Sequence, residues 1–282
     1  MHRLLELFPE HRGSAIFKAY CHVANTGETR IIEGVSVEGI VSRPIWLRLV
    51  IVSMGEEIAI LSQDITQRKQ TEAEIHRLAY FDSLTGLPNR RLLLERLHLA
   101  IANCRRFAKH GALVFLDLDH FKTLNDTRGH DVGDQLLVEI GRRLSESLRE
   151  NDTVARLGGV HVRGSLMLEG LSGAAEEAAI QVGQVAEKIR TFLASAYEIA
   201  GGSYRCTASL GVTLFNGQES SVEAVLKQAD LAMYRAKDSG RDAIRFFDPE
   251  MQTAMEERFA LAVDLRSACS EGQLELHYQA WL

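Results

Sequence analysis

The chain has 282 residues, 46% of them hydrophobic and 25% charged, with a formal net charge of −6. That balance fits a globular protein with room for one sizeable domain and a smaller one. It argues against a nucleic-acid partner, which would need a basic face. The four cysteines, Cys21, Cys104, Cys206 and Cys269, form no CxxC pair and read as reduced, mostly buried thiols. No leader peptide is read at the N-terminus, where charges intrude early. The most apolar run, Ile45–Val52, is short and broken by Arg48, so no membrane span is expected.

Taken in chain order, residues 3–24 carry Leu4, Leu7, Ile16, Phe17, Tyr20 and Val23 at helical spacing. Thr26-Gly27-Glu28 reads as a turn. Three strand-like runs follow, Arg30–Val37, Pro44–Ser53 and Glu57–Asp64, the second with Ile45, Leu47, Leu49 and Ile51 on one face. Asp64-Ile65-Thr66 hands over to a charged helix, Gln67–Tyr80, whose Ile75, Leu78 and Ala79 suit a two-helix seam. The turn-rich stretch Asp82–Arg90 leads into a helix opened by Pro88 or Asn89 and running to about Ala108. Gly111–Leu118 reads as a strand. A short helix holds Phe121, Lys122, Asn125 and Asp126, and a turn over Gly129–Asp134 precedes a long helix through Arg149. Residues 153–170 read as a β-hairpin with a tight turn at Gly158-Gly159 and with Val160 and His161 at its tip. Ser172 is expected to cap a helix over about 173–196. A strand over Ser203–Phe215, a helix over Val222–Ala236 closed by Ser239-Gly240, and a strand over Ala243–Phe247 follow. Glu250–Glu271 reads as a charged amphipathic helix, and Leu274–Gln279 alternates like a strand. Strands interleaved with two-sided helices imply an α/β sandwich, a mixed sheet flanked by helices.

Several polar residues in this pattern suit nucleotide chemistry. Asp117 and Asp119, two residues apart at a strand end, place carboxylates on one side and suit a hard cation such as Mg²⁺. Alone, the pair also fits a turn with capping carboxylates. Lys122, Lys237 and Arg241 are cations near helix ends and suit a polyphosphate, although cations at a helix C-terminus also stabilise its dipole. Asn125 and Asp134 suit a purine edge, since an amide donates and accepts while a carboxylate accepts from guanine N–H groups.

With these residues in place, the stretches Asp82–Arg90, Leu116–Lys122 with Asn125-Asp126, Gly129–Asp134, Ser209–Val212 and Ala229–Lys237 with Gly240-Arg241 together resemble the GGDEF, or diguanylate cyclase, family over 82–248. The family joins two GTP molecules into cyclic di-GMP across a two-fold dimer. The resemblance implies Asp117 and Leu118 at a Mg²⁺ site, Asn125 and Asp134 on guanine, and Lys122, Lys237 and Arg241 on phosphates. It also implies an inhibitory cyclic di-GMP site at Arg149 and Asp152, which have the RxxD spacing ahead of the hairpin; a helix-end arginine followed by an aspartate turn is the plainer reading. The signature itself departs. Gly158-Gly159-Val160-His161-Val162 stands where the family has Gly-Gly-(Asp/Glu)-Glu-Phe, and Val160 can neither ligate a cation nor take a proton. Imidazole suits Zn²⁺ or Ni²⁺ better than Mg²⁺, so His161 is a poor substitute.

Residues 1–66 resemble the C-terminal half of a PAS sensor domain, 67–81 a signalling helix, and 249–282 a linker helix and the first strand of an EAL phosphodiesterase domain, with Ala280 where that family has proline. The chain is thus expected to begin inside one domain and stop inside another, in a bacterial cytoplasm. The function these resemblances imply is a degenerate GGDEF module that binds GTP, cyclic di-GMP or both. It would form a homodimer through the PAS and linker helix, and regulate an EAL neighbour where the chain continues. The alternatives are an active diguanylate cyclase and a ligand-free dimerising relay.

Overall fold

The computed structural model describes residues 13–37, 45–55, 57–158, 163–218 and 221–248, together with scattered helical positions from 250 to 268. The expected helix before residue 13, the tip residues Val160 and His161, and the expected strand 274–279 lie outside the described residues. The chain divides into two compact units, Met1–Arg77 and Leu78–Leu282.

In the first unit, α1 (Ala15–Thr26) is followed by β1 (Arg30–Val37), β2 (Ile45–Met54) and β3 (Glu57–Asp64). Ser14 caps α1 by accepting the Phe17 N–H at 3.1 Å. The strands form an antiparallel meander in the order β1-β2-β3. Ile51 of β2 and Tyr20 and Val23 of α1 form a small core, as the alternation along β2 requires. Helix α2 (Thr66–Tyr80) starts where the Asp64 carboxylate accepts the Thr66 N–H at 2.8 Å. Its Ile75 and Leu78 are 61% and 57% exposed.

The second unit is built on a five-stranded sheet in the order β10-β9-β4-β6-β5. Its elements are α3 (Arg90–Phe107), β4 (His110–Leu118), α4 (Phe121–Arg128), α5 (His130–Ser147), β5 (Thr153–Arg156), β6 (Arg163–Leu171), α6 (Ala175–Leu193), β7 (Tyr197–Ile199), β8 (Gly202–Tyr204), β9 (Ala208–Phe215), α7 (Val222–Asp238) and β10 (Ile244–Phe246). β4 pairs antiparallel with both β6 and β9, and β10 pairs parallel with β9. β4 is apolar on both faces because both are covered. Leu113 and Phe115 join the core beneath α3 and α7, with Leu97, Val225, Ala229 and Met233. Ala112, Val114, Leu116 and Leu118 face the other layer, with Leu136 and Ile140 of α5 and Val182 and Ile189 of α6. The α/β sandwich read from the sequence is the observed architecture.

Several local expectations change. Gly129–Asp134 is not a turn but the opening of α5; Gly129, at φ 86°, alone ends α4 and starts the next helix. α5 stops at Ser147, short of Arg149, because Leu148 is extended and the Arg149 N–H turns to the Asp152 carboxylate at 3.2 Å. Ser172 does not cap the helix at its side chain's reach. α6 begins only at Ala175, and Ser172 instead accepts the Ala174 N–H and donates to Glu177 at 2.6 Å. The single strand expected over Ser203–Phe215 divides into β8 and β9, because β8 is taken up in a two-stranded ribbon with β7. The two arms of the expected hairpin pair antiparallel, from Thr153 with Met167 to Arg156 with Gly164. The expected turn, with Val160 and His161 at its tip, falls at residues 159–162, which lie outside the described residues.

Candidate functional site

Strand alternation places Asp117 on the same side of β4 as Leu113 and Phe115, the side covered by α7. There Lys237, at the end of α7, brings Nζ to 2.7 Å from Asp117 Oδ2. Asp117 is buried, and no donor is aligned for a hydrogen bond to its Oδ2, so the pair is held by charge. Asp119 behaves differently. It continues the β4–β9 ladder through its N–H to the Thr207 carbonyl at 2.8 Å. Its carboxylate accepts from the Thr207 hydroxyl at 2.7 Å, the Ser209 hydroxyl at 2.7 Å and the Asp242 N–H at 3.1 Å. Both oxygens are therefore engaged, and Asp119 acts as a tie between β4, β9 and the loop before β10. Cys206 donates to the Asp119 carbonyl at 3.4 Å, and burial, then the charges of Asp119 and Asp117, push its thiol up to about 12.

Asn125 packs against Gly133, the residue before Asp134. α4 and α5 pack so closely that a Cβ at Gly133 would lie 1.9 Å from Asn125 Oδ1. That oxygen is buried and has no hydrogen-bond partner, and Asp134, the next residue, is exposed at the helix surface. Lys122 is exposed on the first turn of α4. Leu118 has its side chain in the core, so only its carbonyl is available to a ligand.

Arg241 is exposed in the loop that follows α7. Gly240, Arg241 and Asp242 have φ values of 109°, 65° and 42°. Left-handed backbone costs a non-glycine residue about 1–2 kcal/mol, so this loop needs firm support.

Arg149 and Asp152 face each other across a turn. The Arg149 N–H reaches the Asp152 carboxylate at 3.2 Å, and the Asp152 N–H reaches the Arg149 carbonyl at 3.0 Å. Arg149 is exposed.

Sequence reasoning passed over Arg156. Its guanidinium Nη1 donates to both carboxylate oxygens of Asp82, at 2.8 and 2.9 Å, and its N–H reaches the Pro88 carbonyl at 2.9 Å. Asp82 also accepts the Thr85 N–H and hydroxyl at 2.9 and 2.7 Å. Burial pushes the Asp82 carboxyl up, but the hydrogen bonds from Arg156 and then Thr85 outweigh it and hold the group below its ordinary value. The loop 81–89 is thereby fixed to β5, just ahead of Gly158. The Asp82-to-Thr85 spacing announced a local turn, but nothing local in the sequence points from residue 82 to residue 156.

A Mg²⁺ ion fits these residues in part. The Asp117 carboxylate and the Leu118 carbonyl offer hard oxygen atoms, enough for one ion that also binds nucleotide phosphates and water. Lys237 already balances the Asp117 charge, and both Asp119 oxygens already accept hydrogen bonds.

The unit is a mixed α/β sheet covered on both faces, with the Asp117–Lys237 pair at the end of its central strand. Residues 79–243 match the family described as diguanylate cyclase, GGDEF domain, and the chain belongs to that family of cyclic di-GMP signalling domains. It is 39% identical over 214 residues to the bifunctional diguanylate cyclase/cyclic di-GMP phosphodiesterase MucR of Pseudomonas aeruginosa, covering 76% of this chain and 30% of that protein. It is 36% identical over 215 residues to the cyclic di-GMP phosphodiesterase NbdA of the same organism, covering 76% of this chain and 26% of that protein. The chain thus spans less than a third of these relatives' length. Among solved structures, the coiled coil and GGDEF domain of DgcB from Caulobacter crescentus, in complex with c-di-GMP, superposes with a TM-score of 0.56 at 26% identity, covering 64% of this chain and 93% of that one. The diguanylate cyclase SiaD from Pseudomonas aeruginosa, in complex with its activator SiaC, gives 0.53 at 38% identity, covering 64% and 69%.

Proposed function

We propose that the GGDEF unit of this chain is a nucleotide-binding regulatory module without cyclase activity. It takes GTP at the site of Asn125, Asp134, Lys122, Lys237 and Arg241, and cyclic di-GMP at Arg149 and Asp152. The observation that carries this reading is the Asn125 amide. Its Oδ1 is buried without a partner, held against Gly133 beside Asp134. A buried acceptor left unsatisfied costs about 1–3 kcal/mol, and a guanine N–H would remove that cost while a second N–H meets the Asp134 carboxylate. Lys122, Lys237 and Arg241 then supply positive charge to the phosphates.

Loss of turnover follows from the acid positions. Val160 supplies no ligand or base, Asp119 is consumed in hydrogen bonds, and Asp117 is already paired with Lys237. A bound Mg²⁺ would serve to hold phosphates. In a longer chain, the bound state would pass to an EAL neighbour, with the exposed Ile75 and Leu78 of α2 as the dimer seam and residues 1–66 as a PAS-like input. Calorimetric titration with GTP and Mg²⁺ tests the site directly. Wild type should bind, and Asn125→Ala should weaken binding about tenfold or more, the equivalent of one lost hydrogen bond to a buried base. Equal affinities would remove Asn125 from the site and the reading with it.

One observation favours a second reading. Asp117 Oδ2 makes no hydrogen bond and is met by the Lys237 ammonium at 2.7 Å, so a cation that displaced Lys237 would find the carboxylate that a residual diguanylate cyclase needs. Cyclic product from GTP that disappears in Asp117→Ala would support it.

A further inference from the structure

The loop that carries Arg241 is held from two sides. Gly240, Arg241 and Asp242 are consecutive residues with positive φ, two of them not glycine. Such backbone persists only where its surroundings fix it. From within the sheet, Asp119 accepts the Asp242 N–H at 3.1 Å, and the Ala243 carbonyl accepts the Leu210 N–H at 2.9 Å. From outside, Arg190 of α6 reaches across 52 positions of sequence to Asp242. Its Nη1 donates to the Asp242 carboxylate at 2.6 Å and to the Asp242 carbonyl at 3.4 Å. The other edge of the same guanidinium is fixed by Glu187, through Nε at 2.9 Å and Nη2 at 2.7 Å. Arg190 is thus a planar fork clamped on one edge and gripping the loop with the other. Neighbouring positions Ala186, Ile189 and Leu193 are buried in the core, so the helix that carries the fork is immobilised.

From this geometry we infer that Arg190 is a positioning residue for Arg241. It acts through Asp242 and holds the left-handed loop in the conformation that presents the Arg241 guanidinium to a nucleotide phosphate. The hydrogen bonds of Arg190 go to Glu187 and Asp242 rather than to Lys122, Lys237 or Arg241. The role rests on the reading above that Arg241 meets a phosphate, and the experiment separates the two.

The experiment uses the whole chain. Amide hydrogen exchange without nucleotide is compared for wild type, Arg190→Ala, Arg190→Lys and Asp242→Asn, the last removing the same ion pair from its other end. GTP affinity with Mg²⁺ is measured for each, and for Arg190→Ala in an Arg241→Ala background. Arg190→Ala and Asp242→Asn should speed exchange at residues 241–243 while amides of β4 and α5 keep their protection. Both should weaken GTP binding about tenfold, the size of one lost charge-assisted hydrogen bond. Arg190→Lys should recover part of that loss. In the Arg241→Ala background, Arg190→Ala should cost nothing further. Unchanged exchange at 241–243 would overturn the brace whatever the affinities. Additive losses in the double variant would overturn the positioning role, because Arg190 would then act on stability in general. Absence of GTP binding by wild type would overturn the phosphate reading, while the exchange data would still decide whether Arg190 holds the loop.

Discussion

Asp117 and Asp119 lie two residues apart and have opposite fates. Asp117 faces α7 and meets one cation, Lys237, whereas Asp119 meets two hydroxyls and a backbone N–H. The sequence put both carboxylates on one side but could not tell a ligand from a tie, because Thr207, Ser209 and Asp242 are some 90 to 120 positions away. Gly133 gives a sharp test at this scale. Gly133→Ala should gain helix propensity of about 1 kcal/mol, but its Cβ would drive Asn125 Oδ1 out of place. We expect GTP affinity to fall about tenfold while the melting temperature holds or rises; retained affinity would mean that the amide is not read by the base. Asp82 gives a pH test. Its folded carboxyl titrates below its ordinary value of 3.8, so it contributes stability above that value and loses it as pH falls through the lowered pKa. Asp82→Ala leaves a largely buried Arg156 without its partner and should cost about 2–3 kcal/mol in urea unfolding at pH 7. That gap should narrow below about pH 4, and a gap independent of pH would place the cost elsewhere.

At the scale of elements, hydrophobic pattern carried most of the information. β1 and β3 fall where the sequence placed them, and the bounds of α3 and β4 differ by a residue or so, because each is an unbroken apolar pattern closed by a strong cap or turn. The misreadings cluster where one residue decides between two local options: Gly129 between turn and helix start, Ser172 between cap and bridge to Glu177. The short β7–β8 ribbon carried too few residues to show a period. Contact between elements was less legible still. A Cβ at Gly211 of β9 would meet the backbone of α7, 2.0 Å from Met233 N and 2.4 Å from Ala229 O. Backbone cannot yield as a side chain can, so Gly211→Ala should destabilise by about 3 kcal/mol or more, read from urea unfolding. A loss under 1 kcal/mol would mean that α7 slides on the sheet. On α2, Ile75→Glu with Leu78→Glu should shift sedimentation toward monomer if the exposed pair is the dimer seam; an unchanged mass would move the seam elsewhere.

At the scale of the whole molecule, the chain is a GGDEF family member joined to a small antiparallel unit, and no helix among the described residues is long and apolar enough to cross a membrane. The fold class was legible because the sheet's two covered faces leave an apolar signature, and so were the strand and helix ends on which the candidate residues sit. The proposed loss of turnover rests on Val160, a residue identity rather than a geometry. The measurement that bears most directly on the account is a single titration of the whole chain with GTP and Mg²⁺ by calorimetry, followed by chromatography of the same sample. We predict saturable binding and GTP recovered unchanged. Cyclic di-GMP in the eluate, absent from an Asp117→Ala control, would show that another group completes the acid site and would contradict the account.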